Sequence, residues 1–314
     1  MPGRSVAKNG AGEILLFITR MMHYAGAVKM IRIAIVWVAL WAIAWAGQTL
    51  DVAAPSAAMQ KEVHNLIMLP DAYDGERRFP VIYLLHGHDM KYTDWLRVQR
   101  DLPRLADLYG VILVCPDAAN SWYWDSPVNP AMRYETYVAG ELPEFIKTHY
   151  KTIDARWARA VTGLSMGGHG ALWLAIRHQD VYGACGSMSG AVDIRPYPNK
   201  WNIEDSLGKY EDNPQRWAEH TVMTQLDKIV SDPLTMKSLP MIIDCGRDDI
   251  FCEINENLHR ELLRRKIPHD YISRPGIHNG RYWRNAVLYQ LLFFSEHFKR
   301  AQAKEDALPS AVIE

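Results

Sequence analysis

The residues Gly163-Leu-Ser165-Met166-Gly167-Gly-His169-Gly170 carry the plainest chemical meaning in this chain. A short apolar run, Ala158 to Thr162, precedes them, and Ala171 to Ile176 follows with the composition of a helix. Strand, Gly-x-Ser-x-Gly, helix is the setting of a nucleophile elbow. Such a turn is tight, so its flanking positions must be small, and its strain lifts the serine hydroxyl clear of the sheet. Ser165 is therefore the candidate nucleophile. The competing reading is a Gly-rich loop whose serine only caps the helix.

A serine hydroxyl needs a base within hydrogen-bond reach, and the base needs an orienting carboxylate. After an elbow of this kind the chain order is serine, acid, histidine. Two downstream segments supply those types in that order. Leu239 to Cys245 is apolar and ends in Gly246-Arg-Asp248-Asp249; Pro268 to Arg274 is followed by Pro275-Gly-Ile-His278. His278 is the expected base. Asp249, three residues past Gly246, is favoured as the acid. Asp248 is the alternative, with a partner expected in Arg247 or a backbone amide, and Asp244 lies inside its strand. His269 stands at the wrong end of its strand, His169 is expected to pack at the top of its helix, and His259 to lie on a helix surface.

The tetrahedral intermediate of acyl transfer also needs N–H donors for its oxyanion. The backbone amides of Met166, after the nucleophile, and His88, after the apolar run ending at Leu85, are the candidates. His86-x-His88-Asp89 has two metal-binding side chains but no third well-placed ligand. No metal and no cofactor are expected.

Alternating elements must position these groups. Phe79 to Leu85, Val111 to Cys115, Arg156 to Thr162, Tyr182 to Ser189, Leu239 to Cys245 and Pro268 to Arg274 read as short strands. Helical patterns separate them. One is capped by Asp94, runs to Leu108 and is kinked by Pro103; others carry Leu142, Phe145 and Ile146, and Ile254, Leu258 and Leu262. Tyr282 to Phe298 closes the series as a long amphipathic helix. This alternation predicts an α/β fold with a mostly parallel central sheet flanked by helices on both faces. The polar strand ends then meet at the carboxyl edge of the sheet. Trp122, Tyr123, Trp124 and Asp125 sit on one such strand-end loop, as substrate contacts or as packed loop anchors. Residues 191–237, broken by four prolines, read as an excursion that either roofs the site or elaborates the surface; helices are expected near 203–210 and 214–229.

The 314 residues divide into an upstream extension (1–29), a secretory signal peptide (30–46), a flexible linker (47–61), a catalytic domain (62–300) and a loose tail (301–314). The signal reading rests on Lys29 and Arg32, the apolar run Ile33 to Ala46 and its Ala44-x-Ala46 end. That run is short for a membrane span. It predicts export to the periplasm or the medium, with a membrane-anchoring helix as the alternative. Removing residues 1–46 takes away Arg4, Lys8, Arg20, Lys29, Arg32 and only Glu13, so the remainder is more acidic than the overall −1. That balance, without any basic tract, excludes nucleic acid and other anionic polymers as partners. Self-association is left open. Cys115, Cys185 and Cys245 read as core thiols, and export would permit a Cys245–Cys252 bridge.

Several of these motifs together resemble the esterase D group of α/β-hydrolases, closest to its tributyrin-type carboxylesterases. They include Leu85-His-Gly-His88 with Trp95, Asn120-Ser-Trp-Tyr-Trp-Asp-Ser-Pro127, Tyr134-Glu-Thr-Tyr137 with Glu141-Leu-Pro143, the Ser165 elbow, Gly186 to Gly190, and Asp244-Cys-Gly246 with Asp249. Pro275-Gly276, His278 and Tyr282-Trp283 complete the set, which spans residues 62–298. The resemblance implies the α/β-hydrolase fold, Ser165, Asp249 and His278 as the triad, and the His88 and Met166 amides as the oxyanion hole. Trp283 is a further candidate substrate contact. At Gly280 relatives tend to carry a bulkier residue, which predicts a wider pocket on that side. The implied activity is hydrolysis of short- to medium-chain acyl esters through an acyl-enzyme, on a small-molecule ester or an acylated glycan. Mycolyltransferase-like acyl transfer and S-formylglutathione hydrolysis are the alternatives within the group. A binding domain on a dead scaffold is the non-enzymatic one.

Overall fold

The computed structural model describes residues 48–229 and 238–307. The extension 1–29, the signal segment 30–46 and the end of the excursion, 230–237, lie outside them. Eight strands form one sheet: β1 (Thr49–Ser56), β2 (Lys61–Met68), β3 (Val81–Leu85), β4 (Ile112–Pro116), β5 (Arg159–Gly163), β6 (Ala184–Met188), β7 (Met241–Gly246) and β8 (Asp270–Arg274). Their spatial order is β1-β2-β4-β3-β5-β6-β7-β8. β1 and β2 form an antiparallel hairpin, β2 joins β4 antiparallel, and every later neighbour is parallel.

Buried strands with apolar side chains on both faces explain the parallel part. In β3, Val81, Tyr83 and Leu85 enter one core while Ile82 and Leu84 enter the other. The first core lies under α3 (Leu142–His149) and α4 (Met166–Arg177). The second is covered by α1 (Trp95–Val98), α2 (Leu102–Tyr109) and the closing helix α8 (Gly280–Asp306). Between α4 and α8 come α5 (Ile203–Leu207), α6 (Pro214–Glu219) and α7 (Cys252–Arg264). No helix among the described residues is long and apolar enough to cross a membrane.

Five local expectations are corrected. Residues 48–61 of the expected linker 47–61 are not a flexible linker: Thr49–Ser56 is an edge strand paired along its length with β2. Its alternation is weak because alanines and a proline replace the large apolar residues of a typical strand, so the hairpin partner decides the conformation. The helix after Asp94 is two helices, since Gln99 turns extended between them. Pro103 falls in the first turn of α2, where a missing N–H costs nothing. Asp94 does not cap α1; its carboxylate accepts the Lys91 N–H at 2.8 Å. The closing helix runs on to Asp306, so the tail begins later than residue 301.

The turn Tyr134–Thr136 and the π-turn Tyr137–Glu141 lead into α3. Here Glu135, buried, receives hydrogen bonds from Trp173 Nε1 (2.9 Å), Arg177 Nε (2.7 Å) and His178 Nε2 (2.8 Å), all on or just past α4. Burial pushes this carboxyl up, but the bonds from His178, Arg177 and Trp173 and the Arg177 charge outweigh it and hold it down at about 2. A carboxylate depressed in the folded state stabilises above its unfolded pKa and loses that contribution as pH falls through the folded value. Glu135→Gln is therefore expected to be less stable than wild type at neutral pH. The difference should shrink between the ordinary value of 4.5 and about 2. Urea unfolding across a pH series checks this; parallel stability curves for the two proteins would contradict it.

Candidate active site

The elbow has the backbone its sequence requires. Ser165 sits at φ 55 and ψ −118, a conformation a side-chain-bearing residue adopts only when its surroundings force it. The flanking glycines allow the turn to close. A Cβ on Gly163 would lie 2.3 Å from the Gly167 carbonyl oxygen, and one on Gly167 only 2.2 Å from that of Leu85. The Ser165 N–H is held by the Met188 carbonyl of β6 at 2.9 Å. The Ser165 side chain makes no capping bond to α4, so the helix-cap reading fails.

Its partner is His278. The Ser165 Oγ stands 2.9 Å from His278 Nε2, and His278 Nδ1 is 2.9 and 3.0 Å from the two carboxylate oxygens of Asp249. With both Asp249 oxygens as acceptors, the proton resides on Nδ1, which leaves Nε2 free to accept from the serine hydroxyl. Asp249 has a fully buried side chain, while His278 remains 18% exposed. Asp249 also accepts the Phe251 N–H at 2.8 Å. Asp248 turns away: its carboxylate faces the Gly276 N–H at 3.4 Å, so its partner is a backbone amide.

Two aromatic rings pack on the imidazole. Phe251 and Trp283 both meet it edge-on, with centroids 5.0 and 4.9 Å away and interplanar angles of 88° and 89°. Phe251 follows the acid by two residues and is not among the residues the sequence motifs single out; an aromatic just past the acid turn is the signal that points to it. Asn279 escapes sequence reading too. It caps α8 by accepting the Tyr282 N–H at 3.0 Å, and so fixes the chain directly after His278. Gly280 opens that helix, and a Cβ there would meet nothing within 4 Å.

The loop after β3 passes beside the serine: a Cβ added at Gly87 would lie 3.4 Å from the Ser165 Cβ. Met166 is the first residue of α4, so its N–H has no acceptor within the helix. The side chains nearby are committed elsewhere. His86 is buried, donating to the Gly87 carbonyl at 2.8 Å and accepting the Ala118 N–H at 3.0 Å. His88 donates to Asn202 Oδ1 at 3.0 Å and lies 3.1 Å from Asp89. Among the described residues no group of three or more His, Cys, Asp or Glu could hold a metal ion.

The aromatic loop differs from one of the two expectations for it. Trp122, Tyr123 and Trp124 are buried. The Tyr123 hydroxyl donates to the His86 carbonyl at 2.9 Å, and Trp122 Nε1 to that of Trp201 at 3.1 Å. Trp124 stacks on Trp122 and meets His169 and Trp173 edge-on. Asp125 accepts the Thr136 N–H and hydroxyl, which ties the loop down. The three aromatic residues anchor the loop because so much ring area gains more from burial than from standing in water. The excursion reaches the site instead. Trp201 packs on Phe251 at 5.3 Å, and its neighbour Asn202 holds His88.

His169 packs behind the elbow, with Nδ1 on the Ala191 carbonyl at 3.2 Å; burial pushes its pKa down to about 3. His259 is not a lone surface residue: it stacks on Tyr271 and bonds His269 at 2.7 Å. The four cysteines are free thiols, with Cys252 partly exposed and the rest buried.

Comparison with known proteins agrees with this geometry. The model of the Esterase family matches residues 56–294. The chain belongs to the Esterase family. Among Esterase-family relatives, an acetyl esterase from Caldicellulosiruptor saccharolyticus is 26% identical over 245 residues, covering 76% of this chain and 87% of that protein. A ferulic acid esterase of known structure is 25% identical with a TM-score of 0.68, covering 81% of this chain and 99% of the other. The substrate-bound fluorophosphonate-binding serine hydrolase F of Staphylococcus aureus superposes with a TM-score of 0.69 at 19% identity, over 79% of this chain and 98% of that one. The architecture is that of the α/β-hydrolases, and this member of the Esterase family is an ester hydrolase.

Proposed function

We propose that the chain is a serine carboxylesterase that cleaves short- to medium-chain acyl esters through an acyl-enzyme. The observation that carries the proposal is His278 bridging Ser165 and the buried Asp249 at 2.9 and 3.0 Å.

In the first half-reaction His278 Nε2 takes the Ser165 proton as Oγ bonds to the ester carbonyl carbon. The carbonyl π electrons move onto oxygen, and the Met166 and His88 N–H groups face that oxyanion. The carbonyl re-forms, the C–O bond to the alcohol breaks, and His278 gives its proton to the leaving alkoxide. Water then attacks the acyl-enzyme by the same route, releasing the acid and restoring Ser165. The helix start at Met166 favours the oxyanion further, since α4 directs its positive end there. Asp249 holds the imidazole tautomer and offsets the imidazolium charge. Trp283 sits against His278, where it can border the leaving group.

The acetyl esterase relative and the ferulic acid esterase neighbour support modest acyl groups on a glycan as the physiological substrate class. Export through residues 30–46 belongs to the same proposal, since acylated glycans lie outside the cell. A p-nitrophenyl series from acetate through butyrate and octanoate to palmitate tests the acyl preference. The kcat/KM is expected to peak in the short to medium range and fall by about tenfold or more at palmitate. A maximum at palmitate, or thioester cleavage of S-formylglutathione exceeding every ester, would overturn it.

A further inference from the structure

Asp244 is fully buried in β7, five positions before Asp249, and none of its hydrogen bonds goes to Ser165 or His278. One carboxylate oxygen accepts from Arg274 Nη2 at 2.7 Å and the other accepts the Tyr282 hydroxyl. Its backbone carbonyl accepts the Ser189 N–H at 2.7 Å, which fixes it against the end of β6. The Arg274 guanidinium lies over the Tyr282 and Tyr289 rings at 5.0 and 4.5 Å. An isolated buried carboxylate is costly, so a buried one is held by charge and hydrogen bonds together, as here.

The placement of the two partners gives the cluster its meaning. Arg274 is the last residue of β8 and Tyr282 lies in the first turn of α8. Asp244 thus grips both ends of residues 275–281, the segment that carries His278. The Tyr282 ring also lies against that segment: a Cβ on Gly276 would come within 2.2 Å of Tyr282 Cδ2. On the other side, Arg247 N–H bonds the Arg274 carbonyl at 2.8 Å and Asp248 N–H that of Gly276 at 3.0 Å. Trp283, next to Tyr282, presses on the imidazole itself.

We propose that Asp244, Arg274 and Tyr282 form a buried clamp whose task is to position the His278 loop, so that the imidazole stays within proton-transfer reach of Ser165. The inference rests on the serine-esterase reading above. The three are positioning residues; none of them touches the reacting atoms.

The test uses the full chain and two readouts. Tyr282→Phe removes one hydroxyl and keeps the ring. With p-nitrophenyl butyrate its kcat is expected to fall about tenfold while KM stays within about twofold, because misplacing a catalytic group slows the chemical step more than it weakens binding. In the free enzyme, the downfield proton resonance of the His278 Nδ1–H, identified by its loss in His278→Ala, should broaden or shift in Tyr282→Phe. Arg274→Lys, which keeps the charge but not the forked geometry, should show a smaller change in the same direction. If Tyr282→Phe retains wild-type kcat and an unmoved resonance, the clamp has no role in positioning and the proposal is overturned, whatever happens to the melting temperature. The resonance requires no turnover, so it tests the clamp even if the esterase reading fails, and Ser165-dependent turnover tests that reading without the clamp.

Discussion

Replacing Ser165 with alanine is expected to lower kcat on every accepted ester by at least about 10⁴-fold, with the melting temperature unchanged. The size follows from the chemistry. Alanine has no oxygen to form the acyl-enzyme, and what remains is binding and oxyanion stabilisation acting on water. The unchanged stability follows from the elbow. Ser165 bears a Cβ at φ 55 already, and alanine bears the same Cβ, so no new strain arises. Its side-chain partner is His278, with no bond into the helix, so no capping energy is lost. Steady-state rates with p-nitrophenyl butyrate and a thermal scan of both proteins check the pair of expectations. Retained turnover in a folded variant would mean another group attacks the ester.

The second large effect separates two adjacent aspartates. Asp249→Asn is expected to cost about 10⁴-fold in kcat, because an amide can present an N–H to His278 Nδ1 and favour the wrong tautomer. Asp248→Asn should cost less than about tenfold, since that side chain faces the Gly276 amide at the edge of the loop rather than His278. Both substitutions conserve shape, so the comparison isolates charge and hydrogen-bond direction. Equal losses at the two positions would show that the pair acts as a unit and would remove the special role given to Asp249.

The triad is legible in the amino-acid sequence because each member follows a strand of the sheet, buried in the case of β5 and β7 and part-exposed at the edge in the case of β8. Short apolar runs such as Ile82 to Leu85 and Ile242 to Cys245 have few alternatives to a parallel sheet, and the polar residues that stop them must meet at its edge. The choice of Asp249 over Asp248 rests on spacing from Gly246, and the fold has the same preference through the two bonds to His278. Side-chain direction is what sequence does not supply. Trp122 and Trp124 have the composition of a binding surface, but Trp122 and Tyr123 adopt positive φ and their loop folds its rings inward. The first strand of the hairpin, Thr49–Ser56, is illegible for a different reason. The alanine-rich strand Thr49–Ser56 carries little β signal of its own and owes its form to its antiparallel partner. Asp244 lies in plain view as a polar residue within an apolar strand; its partners, Arg274 and Tyr282, are about 30 to 40 positions away in sequence, and only the fold joins them.

The most direct test of the central claim is the intact mass of the protein after exposure to diethyl p-nitrophenyl phosphate, followed by peptide mapping. An activated serine attacks phosphorus, p-nitrophenolate leaves, and a diethylphosphoryl group stays on oxygen. A single adduct is expected on the peptide containing Ser165, formed in step with loss of esterase activity and absent from Ser165→Ala and His278→Ala. An active enzyme that gains no adduct, or gains one on another residue while activity falls, would contradict the assignment of Ser165 as the nucleophile.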